Sequence, residues 1–460
     1  CMHLRVLPLV LLLLAVLAAA APAQTGTPAA PDPAKPAAPA AGPDPATKVY
    51  DLESAVQRAL DANPTMVGAR ATLSGAGYDV WSATSAMLPT ASLSYGYNHK
   101  DRKPLTTTAG RQDYFAEHIN LSQPLFQGFA LLSNLQKKVL TKDKAAASLD
   151  DVELQLIQTV QTQFFSLLKA RMDVKSAEDS VARLESQLKV TNAFYEVGLK
   201  PKLDVLQAEV DLATAQQNLL TARNNVATVH ARLNSLLDLP LENKTQYVGG
   251  LEDMSPFTQE FKQCLQTAFD TRPDIIMAEK SVRIAAKDSN IVMADLLPAV
   301  SADLDYYKMG DDADLDAKNQ RWARANQEYW TSSVNLTYSL KVAGGDVADY
   351  MAAEENLRKM VASLEETKLD AGYEVKEKYL NLFEAKDRIA VARKAVEAAK
   401  EAYRMALARY QAQVGTNTDV LDAQANVSSS EAELSQALAD YHTSLAQLFV
   451  AMGLKNPSLK

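Results

Sequence analysis

The chain carries one pattern twice, and that tandem duplication constrains its architecture more than any single motif. The first copy opens Leu52-Glu53-Ser54-Ala55-Val56-Gln57-Arg58-Ala59-Leu60-Asp61-Ala62-Asn63-Pro64. The second opens Phe261-Lys262-Gln263-Cys264-Leu265-Gln266-Thr267-Ala268-Phe269-Asp270-Thr271-Arg272-Pro273. In both, a short amphipathic helix is expected to stop before the proline, which breaks one helix but suits the first turn of the next. In both, the second helix runs to a Leu-Pro step, Leu88-Pro89 and Leu297-Pro298, 25 positions beyond the first proline. Self-similarity at matched spacing marks two copies of one supersecondary plan. We assign a first repeat to residues 49–250 and a second to 251–460.

After each Leu-Pro the hydrophobic period changes from 3.6 to 2. Ala91, Leu93, Tyr95 and Tyr97 alternate with Thr90, Ser92, Ser94 and Gly96. A polar loop follows over about 99–112, and then Phe115, Ile119 and Leu121 alternate with Ala116, His118, Asn120 and Ser122. The second repeat has Val300, Ala302, Leu304 and Tyr306 against Ser301, Asp303, Asp305 and Tyr307. After an acidic loop, Trp330, Val334, Leu336, Tyr338 and Leu340 alternate with polar residues. These are two β-hairpins, apolar on one face and polar on the other. Periodicity alone fits a half-buried sheet in a soluble domain and a lipid-facing barrel equally well.

Each hairpin feeds a very long helical pattern. Phe129 to Glu196 contains neither Pro nor Gly, so a helix here spans roughly 100 Å. That length reads as coiled coil rather than globular core. A turn at Val197-Gly198-Leu199-Lys200-Pro201 precedes a return helix over 203–237; the second repeat matches it with 347–411, a turn near Gly415, and 418–452. The fold class is thus mostly α with β.

The N-terminus reads as a secretory signal over 1–23, with Arg5 before an apolar run from Leu7 to Ala21 and a small-x-small cleavage site at Ala21-Pro22-Ala23. The run falls short of the roughly 20 residues a membrane helix needs. Residues 24–48, nearly all Ala, Pro, Gly, Thr and Asp, form an expected disordered linker. A secreted chain without a membrane helix can cross a bilayer only as a closed β-barrel. The leader and the long helices therefore favour the membrane reading of the hairpins. Four strands cannot close a barrel, since barrels begin at about eight, so the chain must oligomerise; three copies supply twelve strands.

The net charge of −9 and the lack of a basic tract argue against nucleic acid as a partner. Cys264 is expected as a small core residue, Cys1 standing before Met2. The five histidines show no ligand spacing, no metal or cofactor site is suggested, and no nucleophile or phosphate motif appears, so the chain is not expected to be an enzyme.

The Asn63-Pro64 break, Leu88-Pro89-Thr90, Ser122-Gln123-Pro124-Leu125-Phe126-Gln127-Gly128, Tyr195-Glu196-Val197-Gly198-Leu199, Asp204-Val205-Leu206-Gln207-Ala208-Glu209 and Asp419-Val420-Leu421-Asp422-Ala423-Gln424 occur in an order that resembles the TolC-like outer-membrane efflux protein family. The resemblance spans about 49–454. It implies a homotrimer in the outer membrane of a Gram-negative bacterium, with a twelve-stranded transmembrane β-barrel continuous with a long periplasmic α-helical barrel. It also implies an exit duct for a tripartite efflux pump or type I secretion system, with a periplasmic adaptor and an inner-membrane transporter as partners.

The resemblance also assigns residues. Asp419 and Asp422, three apart and so on one helix face, match the aspartates that ring the family's periplasmic entrance; taken alone they fit an ordinary acidic helix start. Asp204 is the matching residue of the first repeat. Tyr410 matches a tyrosine that helps hold the entrance shut, though packing between helices explains it equally well. The partner arginine position falls on Gly415, so no arginine latch is expected. Val197, Gly198 and Leu199 match an adaptor-docking tip, and Val414, Gly415 and Thr416 are its expected counterpart, two residues later than usual. Gly198 is expected to cap its helix in a left-handed conformation. The alternative function is a periplasmic adaptor, which should carry one hairpin flanked by β-domains; a purely structural coiled coil would lack the aromatic strands.

Overall fold

A computed structural model describes residues 49–99, 113–242, 245–252, 257–310, 313, 315, 328–339 and 342–456. The expected leader, the linker and most of the two hairpin loops lie outside these residues. The first set of elements is β1 (Val49–Tyr50), α1 (Leu52–Ala62), α2 (Pro64–Ser85), β2 (Thr90–His99), β3 (Asp113–Gln127), α3 (Ala130–Glu196) and α4 (Lys202–Leu236). The second is β4 (Gln246–Tyr247), α5 (Phe261–Thr271), α6 (Pro273–Met293) with a 3-10 turn (Ala294–Leu296), β5 (Ala299–Gly310), β6 (Glu328–Thr337), α7 (Gly345–Gln411) and α8 (Asn417–Ala451). Both α3 and α7 have 67 residues, and both α4 and α8 have 35, so the duplication holds at the level of structure.

Local chemistry explains the boundaries. Asp51 caps α1 in a reciprocal box with Ser54. Asn63 ends α1 and caps α2 by accepting from the Thr65 amide, with Pro64 at the first helical position. At the passage from β3 into α3, Gly128 and Phe129 both take left-handed backbone. Gly128 also lies against the Ala294 backbone, where a Cβ would sit 2.7 Å from the carbonyl oxygen, so only glycine fits.

One antiparallel sheet joins the hairpins in the order β2-β3-β5-β6. Its register aligns Leu93, Ile119, Tyr306 and Trp330 across the four strands on one face. The other face aligns Ser122 with Asp303 and Ser333, and Asn120 with Asp305 and Thr331. That polar face is tied by hydrogen bonds, Ser122 and Asn335 donating to Asp303 and Asn120 to Asp305. β3 runs further than the alternation indicated, because an irregularity between Pro124 and Phe126 carries the strand through the proline to Gln127.

The main core sits at mid-height of the helices. It packs Tyr50, Phe164, Phe165, Leu233, Tyr247, Leu382, Leu438 and Leu448 together with α1 and α5. The two-residue strands β1 and β4 pair in parallel here and were not legible from the sequence. Cys264 is buried in this core as expected.

Candidate functional site: open edges and helical tips

Near the sheet, the helices pack in the order α2-α3-α6-α7; toward the far end, the order is α4-α3-α8-α7. Both rows, like the sheet, stop at unpartnered edges. The α2/α4 edge exposes Val67, Tyr78, Trp81, Leu203, Leu206, Val210 and Leu220, and α7 exposes Val347, Met351, Val361, Leu369, Tyr373, Val391 and Met405. Apolar side chains this numerous on two opposite edges mark surfaces built to be covered. The β2 and β6 edges leave backbone donors and acceptors unpaired, which lipid does not tolerate. Among the described residues no helix is long and apolar enough to cross a membrane.

At the far end the two helical hairpins turn by the same device. Val197 ends α3, Gly198 takes φ 76°, and the amides of Gly198 and Leu199 donate to the carbonyls of Tyr195 and Phe194 at 2.9 and 2.8 Å. This is a Schellman cap, with the left-handed residue expected at Gly198. In the second turn Ala412 ends α7, Gln413 takes φ 61°, and the amides of Gln413 and Val414 donate to Tyr410 and Arg409 at 3.0 Å each. The counterpart of Val197-Gly198-Leu199 is therefore Ala412-Gln413-Val414, not Val414-Gly415-Thr416. Glutamine fills the left-handed position that pattern-matching reserved for glycine. Gly415 is instead pressed against Arg409 and Tyr410, where a Cβ would lie 3.2 Å from their backbone, and Thr416 is the N-cap of α8.

Asp419 and Asp422 are both exposed, while Val420, Ala423 and Val427 of α8 are buried. Asp419 has a second occupation. Its carboxylate accepts from the Thr416 amide at 2.9 Å, and its own amide donates to the Thr416 hydroxyl at 3.1 Å, a reciprocal capping box. The backbone bond from Thr416, with the Thr416 side chain, holds the Asp419 carboxyl below the usual carboxylate range. Asp211 on α4 is pushed up by burial and by the charge of Asp422, so a further carboxylate lies within electrostatic reach of these two.

Tyr410 is fully buried, and it does not bond the Asp204 side chain. Its phenol donates to Thr191 at 3.2 Å, its ring meets Phe194 at 5.7 Å, and the Lys200 ammonium lies 5.1 Å from the ring centroid. Burial pushes the phenol above its ordinary value, Thr191 opposing and the Asp204 charge adding to the shift. Asp204 joins the same cluster through its backbone, its carbonyl accepting from Asn417 at 3.3 Å. Asn417 in turn accepts from Gln187 at 2.8 Å. The structure thus brings Tyr410 and Asp204 into one network, bridged by Thr191, Gln187 and Asn417. Sequence reasoning missed those three, because a buried polar side chain in a long helix looks like any solvated polar residue.

The family model described as outer membrane efflux protein matches residues 55–238 and 264–454. The chain belongs to the outer membrane efflux protein family. It is 24% identical over 414 residues to the outer membrane protein TolC of Vibrio cholerae serotype O1, covering 88% of this chain and 90% of that one. It is 21% identical over 407 residues to nodulation protein T of Rhizobium leguminosarum bv. trifolii, covering 87% and 85%. Its fold superposes on the outer-membrane channel OprN with a TM-score of 0.76 at 19% identity, covering 90% and 91%. This efflux protein is an outer-membrane exit duct with a large periplasmic part. The adaptor alternative finds no support, since two long helical hairpins and a four-stranded amphipathic sheet occupy the described residues. Its relatives are channel proteins rather than enzymes. The family works as trimers with adaptors and inner-membrane transporters.

Proposed function

We propose that the free ends of the α3–α4 and α7–α8 hairpins form the periplasmic entrance of a trimeric duct, ringed by Asp419 and Asp422 of each copy. The carrying observation is the split face of α8, whose first turns expose these two carboxylates and bury Val420, Ala423 and Val427 against the rest of the chain. Such a ring attracts cations and repels anions, and its members share protons rather than titrating singly. Asp204 and Tyr410 hold the two hairpins together behind it. The turns Val197-Gly198-Leu199 and Ala412-Gln413-Val414, with Gly415 and Thr416 beside the latter, receive a periplasmic adaptor. An inner-membrane transporter supplies the energy, since the duct itself offers only a path.

Single-channel conductance in planar bilayers tests the ring. A trivalent cation on the periplasmic side should block the wild type, because it bridges several carboxylates. Asp419→Asn with Asp422→Asn should abolish the block, and asparagine at 419 keeps an acceptor for the Thr416 amide. Equal block of both proteins would reduce the aspartates to a solvated helix start.

A further inference from the structure

Some way above the tips, one half-buried carboxylate joins three helices. Glu431 lies on α8, roughly 20 Å from its start at a rise of about 1.5 Å per residue. Its side chain is only 14% exposed. It accepts from the Ser176 hydroxyl of α3 at 2.6 Å and pairs with the Lys400 ammonium of α7 at 2.9 Å. The Arg183 guanidinium of α3 stands 3.6 Å away. Thus α3, from the first helical hairpin, and α7 and α8, from the second, meet on a single side chain.

The charge balance of this cluster is uneven. One carboxylate faces two cations carried by different hairpins, Arg183 on α3 and Lys400 on α7. While Glu431 is charged it draws both inward. Without that charge, Arg183 and Lys400 would face each other across the same gap as like charges. The cluster is also incompletely bonded, because Nε and Nη2 of Arg183 are buried without a hydrogen-bond partner. A buried polar group left unmade costs free energy, so the tie is strong in charge yet short of its hydrogen-bonding optimum. Below it, toward the tips, the contact between hairpins mixes polar pairs, Gln424 donating to Ser180 at 3.1 Å and Gln187 to Asn417 at 2.8 Å, with the ring contact of Phe194 and Tyr410. Above it begins the apolar core around Phe165, Leu438 and Leu445. Glu431 therefore stands where the continuous apolar core gives way to a contact that carries several polar pairs.

We propose that Glu431 is a positioning residue for the entrance, a tie through Ser176, Arg183 and Lys400 that sets how closely the α7–α8 hairpin lies against α3. This rests on the reading of the tips as the duct's entrance. It is distinct from the aspartate ring, because Glu431 finds its partners within one chain, on α3 and α7.

The test uses the full-length protein in planar bilayers. Glu431→Gln keeps the side chain's shape and removes its charge. It should raise the conductance or the open probability, by about tenfold where a charged hydrogen bond is lost, while the trivalent block by the aspartate ring persists. Ser176→Cys with Glu431→Cys substitutes a covalent tie at the same place. This double variant should conduct poorly when oxidised and well when reduced, so that one folded preparation serves as its own control. Conductance unchanged in Glu431→Gln, or equal in the oxidised and reduced double variant once the bridge is verified by mass spectrometry, overturns the proposal. Loss of trivalent sensitivity in the wild type would instead count against the ring and leave the tie to be judged by the redox comparison.

Discussion

Asn63 and Arg272 stand at the same point of the two repeats, and each holds the last turn of the return helix beside it. The Asn63 amide donates to the Leu236 carbonyl at 3.0 Å, and the Arg272 guanidinium to the Ala451 carbonyl at 2.9 Å. Each residue also precedes the proline that opens the next helix. One side chain therefore satisfies a helix-end carbonyl and fixes the junction of the short helices. Arg272 adds ion pairs to Asp274 and Glu374 at 2.7 and 2.8 Å, which outweigh burial in keeping it charged.

Removing either anchor should loosen the equatorial core. Arg272→Ala leaves Asp274 without its partner and should destabilise by about 3 kcal/mol. Asn63→Ala loses a cap and a long-range bond and should cost about 1–2 kcal/mol. Chemical denaturation of the detergent-solubilised protein, followed by far-UV circular dichroism, measures both. Midpoints equal to the wild type would mean that the carbonyls are served by water.

The sheet makes a two-sided prediction. Leu93 and Leu336 lie on the apolar face, Ser94 and Thr337 on the face with the hydrogen-bonded aspartates. Leu93→Arg or Leu336→Arg should each cost about 2–4 kcal/mol at mid-membrane and lower the assembled protein recovered from outer membranes. Ser94→Arg and Thr337→Arg should assemble well. Equal losses on both faces would put the lipid on neither.

Acid should loosen the periplasmic end. Asp419 is held below the ordinary carboxylate range by Thr416, and Glu431 by Ser176, Lys400 and Arg183 against the opposing effect of burial. A carboxyl depressed in the folded state contributes stability above its unfolded pKa, near 4, and loses it as pH falls through the folded value. Thermal melts should thus hold between pH 7 and 5 and drop below about pH 4, with a smaller drop in Glu431→Gln. A variant with the same acid profile as the wild type would remove Glu431 from the account.

The sequence was most legible where physics is local and repeated. Proline at 64 and 273, the change of period after Leu88-Pro89, and the long run without Pro or Gly each act within a turn or a strand, and each element lies where they indicate. Gln413 was missed because any residue can be driven left-handed when a Schellman turn and its helices demand it; matching on Gly415 displaced the turn by two residues. The Tyr410 network and Glu431 were hidden for another reason. Whether a polar side chain in a coiled coil is solvated or buried depends on a helix hundreds of residues away, and no local spacing reports that.

The central claim is that copies of this chain close into a ring, α7 of one lying along α2 and α4 of the next. Counting from the turn, Leu220 on α4 and Val391 on α7 lie at similar heights, roughly 27 and 30 Å, and are 67% and 68% exposed. Leu220→Cys with Val391→Cys, treated on whole cells with a short bis-maleimide, is the direct measurement. The ring predicts a covalent trimer in the outer-membrane fraction on denaturing gels, with each single-cysteine variant remaining monomeric. A double variant that stays monomeric, or that stops at a dimer however long the reaction runs, would contradict it.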